Sequence, residues 1–419
     1  MEDLREYSRG QMPAPPTSHP IASNQRLLRI ALVACVLLMA VSAVLFQAPH
    51  LLGRDKELND FDAFSISGRL ALEGKAEQAY ASELLFEAQK KMIGRAEFMP
   101  WTYPPQFTAV AMALAIPPVG VAYAVFIGLT LALYLRVLSR IAGPLLPGVV
   151  IAMLMTFVLL IRTGQNGFLT GALLGWFLLA FDKRKSTAGI PLGLMVIKPH
   201  LAIGSALLAL LGRRLAALAI AAAVVIATAL LCTAMWGAGI WTAFGAALRE
   251  STALLEAGHY PLFRMTSIYA SVRSFGVDAA AALGLHALGA VVAVFGIVAL
   301  WLRASDTRLV MAGTMAGSLF ISPYSYDYDL AILGLAIAYV LPGLLARTRA
   351  WEGVLLGALT WLTTGWGILI YSIVLSGGRT DPSGIGNDTV YWSFPAIGLI
   401  VLVIAAAAIL RRQPLAAAG

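Results

Sequence analysis

Charge is what this sequence lacks most. Its 30 Lys and Arg and 22 Asp and Glu make up 12% of 419 residues, about half the share of an average soluble domain. Water does not solvate a surface built from so few charges, which excludes a soluble enzyme and a disordered chain. Cysteine is nearly absent too. Cys35 and Cys232 both sit in apolar runs, so there is no disulfide framework and no CxxC metal spacing. No His/Cys/Asp cluster suggests a metal. No fixed-period repeat is visible, which leaves the inverted-repeat layout of many transporters unsupported. What is present in abundance is apolar: 59% of the chain, with a mean hydropathy of +0.80. Lipid is therefore the expected solvent, and the few polar residues carry the information.

The net charge is +8. Many basic residues flank apolar runs, as in Arg26/Arg29, Lys183-Arg184-Lys185, Arg213-Arg214, Arg347/Arg349 and Arg411-Arg412. That placement reads as the positive-inside rule rather than as a nucleic-acid surface. Residues 1–26 are polar and rich in Pro and Ser, and are expected to form a disordered cytoplasmic tail. The apolar run Ala31–Phe46 follows a leader too long for a cleavable signal and reads as a signal anchor with its N-terminus inside.

The sequence predicts an all-α polytopic membrane protein, one membrane domain over 27–412 with a short tail at 413–419. Apolar spans fall near 27–49, 105–117, 119–139, 145–161, 167–181, 187–211, 215–237, 277–302, 308–321, 328–346, 353–375 and 393–410, about 12 in all and 10–13 within the ambiguities. Several are short for a bilayer that takes roughly 20 helical residues, as happens where helices break inside the protein and line a cavity. Residues 187–211 carry Lys198-Pro199 at their middle. They form either one kinked helix or two short helices meeting at that dipeptide. In the second case both flanking basic clusters face the cytoplasm, and 105–140 crosses once or contains a re-entrant piece. Polar stretches at 50–104, 238–276 and 376–392 are the expected outer loops, with both termini cytoplasmic.

Chemistry is sought in those loops and breaks. Asp60 and Asp62 lie close behind the outer end of the first span, ahead of a segment with helical apolar spacing over 61–72 that suits an amphipathic helix lying on the membrane. An Asp there is held at headgroup depth and can act as a general base. Alternatively, Asp60 caps the helix and Asp62 is a solvated first-turn acid. Tyr103, in Trp101-Thr102-Tyr103-Pro104-Pro105, stands where the chain re-enters the membrane, a usual place for interface aromatics. Arg162 and Gln165 lie in a break between spans, and Lys198 lies in the Lys-Pro break. A cation beside the backbone donors of a broken helix suits a phosphate, whereas a snorkelling Lys is the plainer alternative. His259 and Arg264 lie in the second outer loop as a possible acid or base and a phosphate or headgroup ligand. Tyr326 and Asp327 open a late span, where buried acids are rare without a purpose; there Asp327 either holds substrate hydroxyls or caps the helix.

Taken in order, Asp-Phe-x-x-Phe-x-x-Ser-Gly-Arg-x-x-Leu-x-Gly (60–74), Tyr-Pro-Pro (103–105), Gly-Gln (164–165), Lys-Pro (198–199) and Ser-Pro-Tyr-Ser-Tyr-Asp-Tyr (322–328) resemble glycosyltransferase family 87 over roughly residues 27–345. The resemblance implies a GT-C-type fold with amphipathic helices in a long first outer loop and a catalytic Asp at position 60. It also implies a bacterial plasma-membrane enzyme that moves a hexose, mannose-like or related, from a polyprenyl-phosphate donor to a lipid or glycan acceptor on the outer face, without a metal. Its working environment would be membrane lipid, not nucleic acid. Mannosyltransferase members often carry a Trp and a His pair in the late Ser-Pro motif. Here Tyr326 stands for that Trp and no His follows, so the role of those histidines is not carried over. A transporter or flippase of a lipid-linked sugar or other amphiphile is the competing expectation.

Overall fold

A computed structural model describes residues 25–51, 60–93, 99–376 and 391–415. The expected disordered tail up to residue 24, most of the loop 376–392, parts of the first outer loop and residues 416–419 lie outside the described residues. Within them the chain is helical, with no β-strand and one isolated bridge between Met265 and Tyr326. Among the described residues, five helical stretches are long and apolar enough to cross a membrane: Val119–Ala152, Leu215–Trp236, Ala279–Arg303, Asp327–Leu345 and Ala350–Val374. Other expected spans are shorter apolar helices packed among these.

Helix α1 (Gln25–Leu51) leads to α2 (Asp60–Leu72), α3 (Ser82–Ile93) and α4 (Pro105–Leu114). The helix expected over 61–72 forms, and most of it packs against the body of the protein. Phe61, Asp62, Phe64, Ser65, Ile66, Ser67, Gly68 and Ala71 are all buried. Its apolar side enters an aromatic cluster in which Phe64 meets Trp101, Tyr103, Phe107 and Phe126 at centroid distances of 4.9–6.1 Å. Its small side lets α4 come close: a Cβ at Gly68 would overlap the Ala111 carbonyl. Small residues at helix crossings in lipid serve this close approach. The first residue of α2 is thereby fixed against the body of the protein.

The segment 105–140 resolves into short α4 and one long helix, α5 (Val119–Ala142). After it come α6 (Leu146–Ala152), α7 (Leu154–Thr163) and α8 (Gly167–Asp182). The Lys-Pro ambiguity resolves into two short helices, α9 (Gly189–Leu194) and α10 (Pro199–Leu211), broken at Lys198, whose backbone leaves the helical region at φ −145°. Positions 189 and 193 of α9 face Ala217 and Ala221 of α11 (Leu215–Trp236). The Arg214 guanidinium lies over the Phe181 ring at 5.1 Å. The two basic clusters thus share one end of the molecule, and Lys198 is the tip of a hairpin that points away from it. Schellman-type stops close α8 and α10: Lys185 N–H donates to Ala180 O, and Arg214 N–H to Ala209 O. Arg184 and Arg213 take the left-handed position at φ 55° and 51°.

The remaining helices are α12 (Gly239–Glu256), α13 (Ile268–Ser274), α14 (Ala279–Arg303), α15 (Thr307–Ser318), α16 (Ala331–Leu345), α17 (Ala350–Ser376) and α18 (Pro395–Leu410). Asp278 and Asp306 accept the N-terminal amide hydrogen bonds of α14 and α15. Many large apolar side chains on α1, α11, α14 and α17 face outward, among them Leu230, Val292, Phe295 and Val354. Outward apolar helix faces of this kind suit lipid rather than water.

Candidate active site

Several chain breaks converge on one cavity of about 470 Å³, within the roughly 300–1,000 Å³ of small-molecule sites. Asp60 at the start of α2, Tyr103, Gln165, Lys198, Arg264 and Tyr326 all line it. Each break has a local cause. Pro104 and Pro105 start α4 where no N–H donor is needed. Gly164 ends α7 in the left-handed conformation at φ 71°, and its bare Cα packs on the Phe61 ring. Residues 262–264 form a short 3₁₀ turn held to the late Ser-Pro segment by Thr266 N–H donating to Ser325 O at 2.8 Å. Ser393 braces the same strip, its hydroxyl donating to Met265 O at 2.8 Å.

Two ionic clusters face this space. Arg264 is shared by two carboxylates: Nη2 lies 3.3 Å from Asp60 Oδ2, and Nε lies 3.3 Å from Asp327 Oδ2. These distances are longer than the roughly 2.7–2.9 Å of a tight charge-assisted bond. Burial works against the guanidinium charge, but Asp327 and Asp60 outweigh it and hold the group firmly protonated. Lys198 makes a tight pair instead, its Nζ 2.7 Å from Asp329 Oδ1, with both side chains almost completely buried. The Lys198 ammonium also lies 4.3 Å from the centre of the Tyr328 ring. Tyr326 and Tyr328 stack with centroids 5.1 Å apart. Arg264 stands 5.8 Å from the Tyr328 ring, so the two cations share that ring. Tyr103 donates its hydroxyl to Gln165 Oε1 at 2.9 Å, and burial holds the phenol well above its ordinary range, hence neutral.

The other sequence candidates stand elsewhere. Asp62 is fully buried and does not line the cavity. Asp327 lies behind Arg264 rather than on the wall. The capping expected of Asp327 falls to Asp329, whose Oδ2 accepts the Tyr326 N–H at 3.0 Å. Asp327 is spent on Arg264 and on the Tyr328 N–H. Arg162 lies over the Tyr371 ring at 4.7 Å, and His259 is exposed on the second loop; neither lines the cavity. Sequence reasoning left out Asp329, Tyr328 and His200, all on the wall. Their signal was adjacency, since each lies within two residues of a residue already singled out.

Breaking a buried ion pair by removing one partner costs about 3–5 kcal/mol, whereas replacing both with apolar groups is often near neutral. Lys198→Met or Asp329→Leu alone is therefore expected to lower thermal stability in detergent strongly, and the double substitution to recover most of it. Additive losses in the double variant would show that the pair contributes no coupled stability.

A family model, Glycosyltransferase family 87, matches residues 101–323, a stretch that contains Tyr103, Gln165, Lys198 and Arg264 of the cavity wall. No curated protein and no solved structure matches the chain. The family match covers more than half of the sequence, so the chain belongs to glycosyltransferase family 87 and is a membrane glycosyltransferase.

Proposed function

We propose that the protein moves a hexose, mannose-like or related, from a polyprenyl-phosphate donor to a lipid or glycan acceptor at the outer face of a bacterial plasma membrane, inverting the anomeric centre. The observation that carries this reading is the loose Asp60–Arg264 contact on the cavity wall, backed by Asp327. A donor phosphate carries the charge and the paired oxygens that a guanidinium fork binds best. On binding it takes the place of the Asp60 carboxylate at Arg264, while Asp327 keeps the guanidinium aimed. Asp60 is then free to receive a proton.

The acceptor hydroxyl attacks the anomeric carbon from the face opposite the phosphate. The C–O bond to phosphate breaks, and its electron pair leaves with the phosphate oxygen. The acceptor proton passes to Asp60. Phosphate is a good leaving group and needs no proton, so the charge that grows on it is balanced by Arg264, without a metal. The membrane holds both lipid-linked substrates at one depth, which supplies orientation. The fold-wide layout, with both basic clusters of the Lys198 hairpin at the end away from the cavity, supports an outward-facing site under the positive-inside rule.

Purified protein in lipid vesicles, given a panel of radiolabelled polyprenyl-phosphate sugars and a membrane lipid extract, is expected to move one label onto an extract component. Passage of the donor between leaflets without transfer would favour a flippase and overturn the reading.

A further inference from the structure

The mechanism above leaves one wall of the cavity without a task. Arg264 and Asp60 account for phosphate and proton. Lys198 is spent on Asp329 at 2.7 Å, and the second Asp329 oxygen is spent on the Tyr326 N–H. The tight pair is thus poorly placed to give up its cation to a phosphate. Beside it, two residues along the hairpin tip, His200 lines the same cavity. Its Nε2 is shielded from solvent and has no hydrogen-bond partner among the described residues. Of the described side chains that line the cavity, His200 alone carries such a buried, unpartnered polar atom. Buried polar groups are nearly always satisfied, and leaving one unmet costs about 1–3 kcal/mol. An unmet nitrogen in a side chain of the cavity wall is one that a ligand can satisfy once the ring turns toward it.

We infer that the Lys198–His200 hairpin tip is the sugar-recognition wall, with the His200 imidazole turning its unmet nitrogen onto a hydroxyl of the donor's sugar. This rests on the donor reading given above. The hairpin supports it mechanically. Pro199 starts α10 at its first position, which fixes the backbone just ahead of His200. The Lys198–Asp329 bridge pins the tip to the segment that carries Tyr326 and Tyr328. The imidazole is therefore presented by a rigid corner rather than by a free loop, as specificity requires. Lys198 of this wall and Arg264 stand 4.3 and 5.8 Å from the centre of the Tyr328 ring, so the tip and the phosphate site adjoin one aromatic ring.

The test is a binding measurement without acceptor, which removes any contribution from the acceptor's own hydroxyls. Farnesyl phosphate and a panel of farnesyl-phosphate hexoses and pentoses are titrated into the full-length protein in detergent. The wild type is expected to bind one sugar-bearing ligand more tightly than bare farnesyl phosphate. His200→Phe keeps the ring volume and removes the hydrogen bond. It is expected to weaken that sugar-bearing ligand by about 10- to 100-fold and leave bare farnesyl phosphate within about twofold. His200→Gln, which keeps a polar amide, is expected to recover part of the difference. An unchanged ratio, or equal weakening of both ligands, overturns the inference while the donor reading stands. Absence of binding by every prenyl phosphate in the wild type overturns both.

Discussion

Replacing Asp60 with asparagine is expected to lower glycosyl transfer by about 10²–10⁴-fold, the usual contribution of a positioned general base, while the protein stays folded and still binds donor. The substitution is nearly isosteric. An amide oxygen can still accept from Arg264, so the contact at 3.3 Å need not be lost. What disappears is the capacity to take the acceptor's proton. Initial rates of label transfer, read beside thermal stability in detergent, check this. The same change at Asp62 separates the two acids. Asp62 is wholly buried and off the cavity wall, so Asp62→Asn should act on stability and leave the chemical step largely intact. If Asp62→Asn abolished transfer in a stable protein and Asp60→Asn did not, the base would be Asp62.

Arg264 carries the second large effect. Truncation to alanine leaves Asp327, 1% exposed, without its cation. Removing one partner of such a pair costs about 3–5 kcal/mol, so Arg264→Ala is expected to be badly destabilised, and its inactivity alone would say little about catalysis. Arg264→Lys is the informative variant. It keeps a positive charge near both carboxylates but replaces the planar fork with a point charge. Most of the stability should remain, and transfer should fall by about 10²–10³-fold, the loss seen when one preorganised transition-state donor is removed. Space behind the cluster is tight: a Cβ at Gly367 of α17 would overlap the Asp327 carboxylate. That crowding holds Asp327 against Arg264 and leaves the cavity side as the guanidinium's open approach. A lysine variant with wild-type rates would remove Arg264 from the phosphate-binding role.

Much of this architecture was legible in the sequence because lipid makes helices nearly obligatory. Apolar runs and basic flanks therefore marked most helix positions. What remained open was local and had physical reasons. A Lys-Pro in mid-span fits a kink and a hairpin equally well. The difference lies in whether Phe181 and Arg214 meet, a contact between segments that no local pattern encodes. The α2 segment read as an amphipathic helix from its apolar spacing, which says nothing of what Ser65, Ser67 and Gly68 pack against. In the fold they are small residues that admit the α4 backbone. Asp327 read as a cap because it is the first acid of its motif. The cap is Asp329, and Asp327 is claimed by Arg264, 63 positions away. His200 went unranked because its significance is an unmet hydrogen bond, which exists only once the cavity walls are assembled.

The most direct test of the central claim is the stereochemistry of one turnover. Purified protein in vesicles is given a polyprenyl-phosphate sugar of defined anomeric configuration and an acceptor extract, and the configuration of the newly formed glycosidic bond is read by NMR. Direct displacement at a site where Asp60 takes the proton and Arg264 holds the phosphate predicts the opposite configuration in the product. Retention of the donor's configuration, or donor consumption with no glycosidic product, would contradict the account.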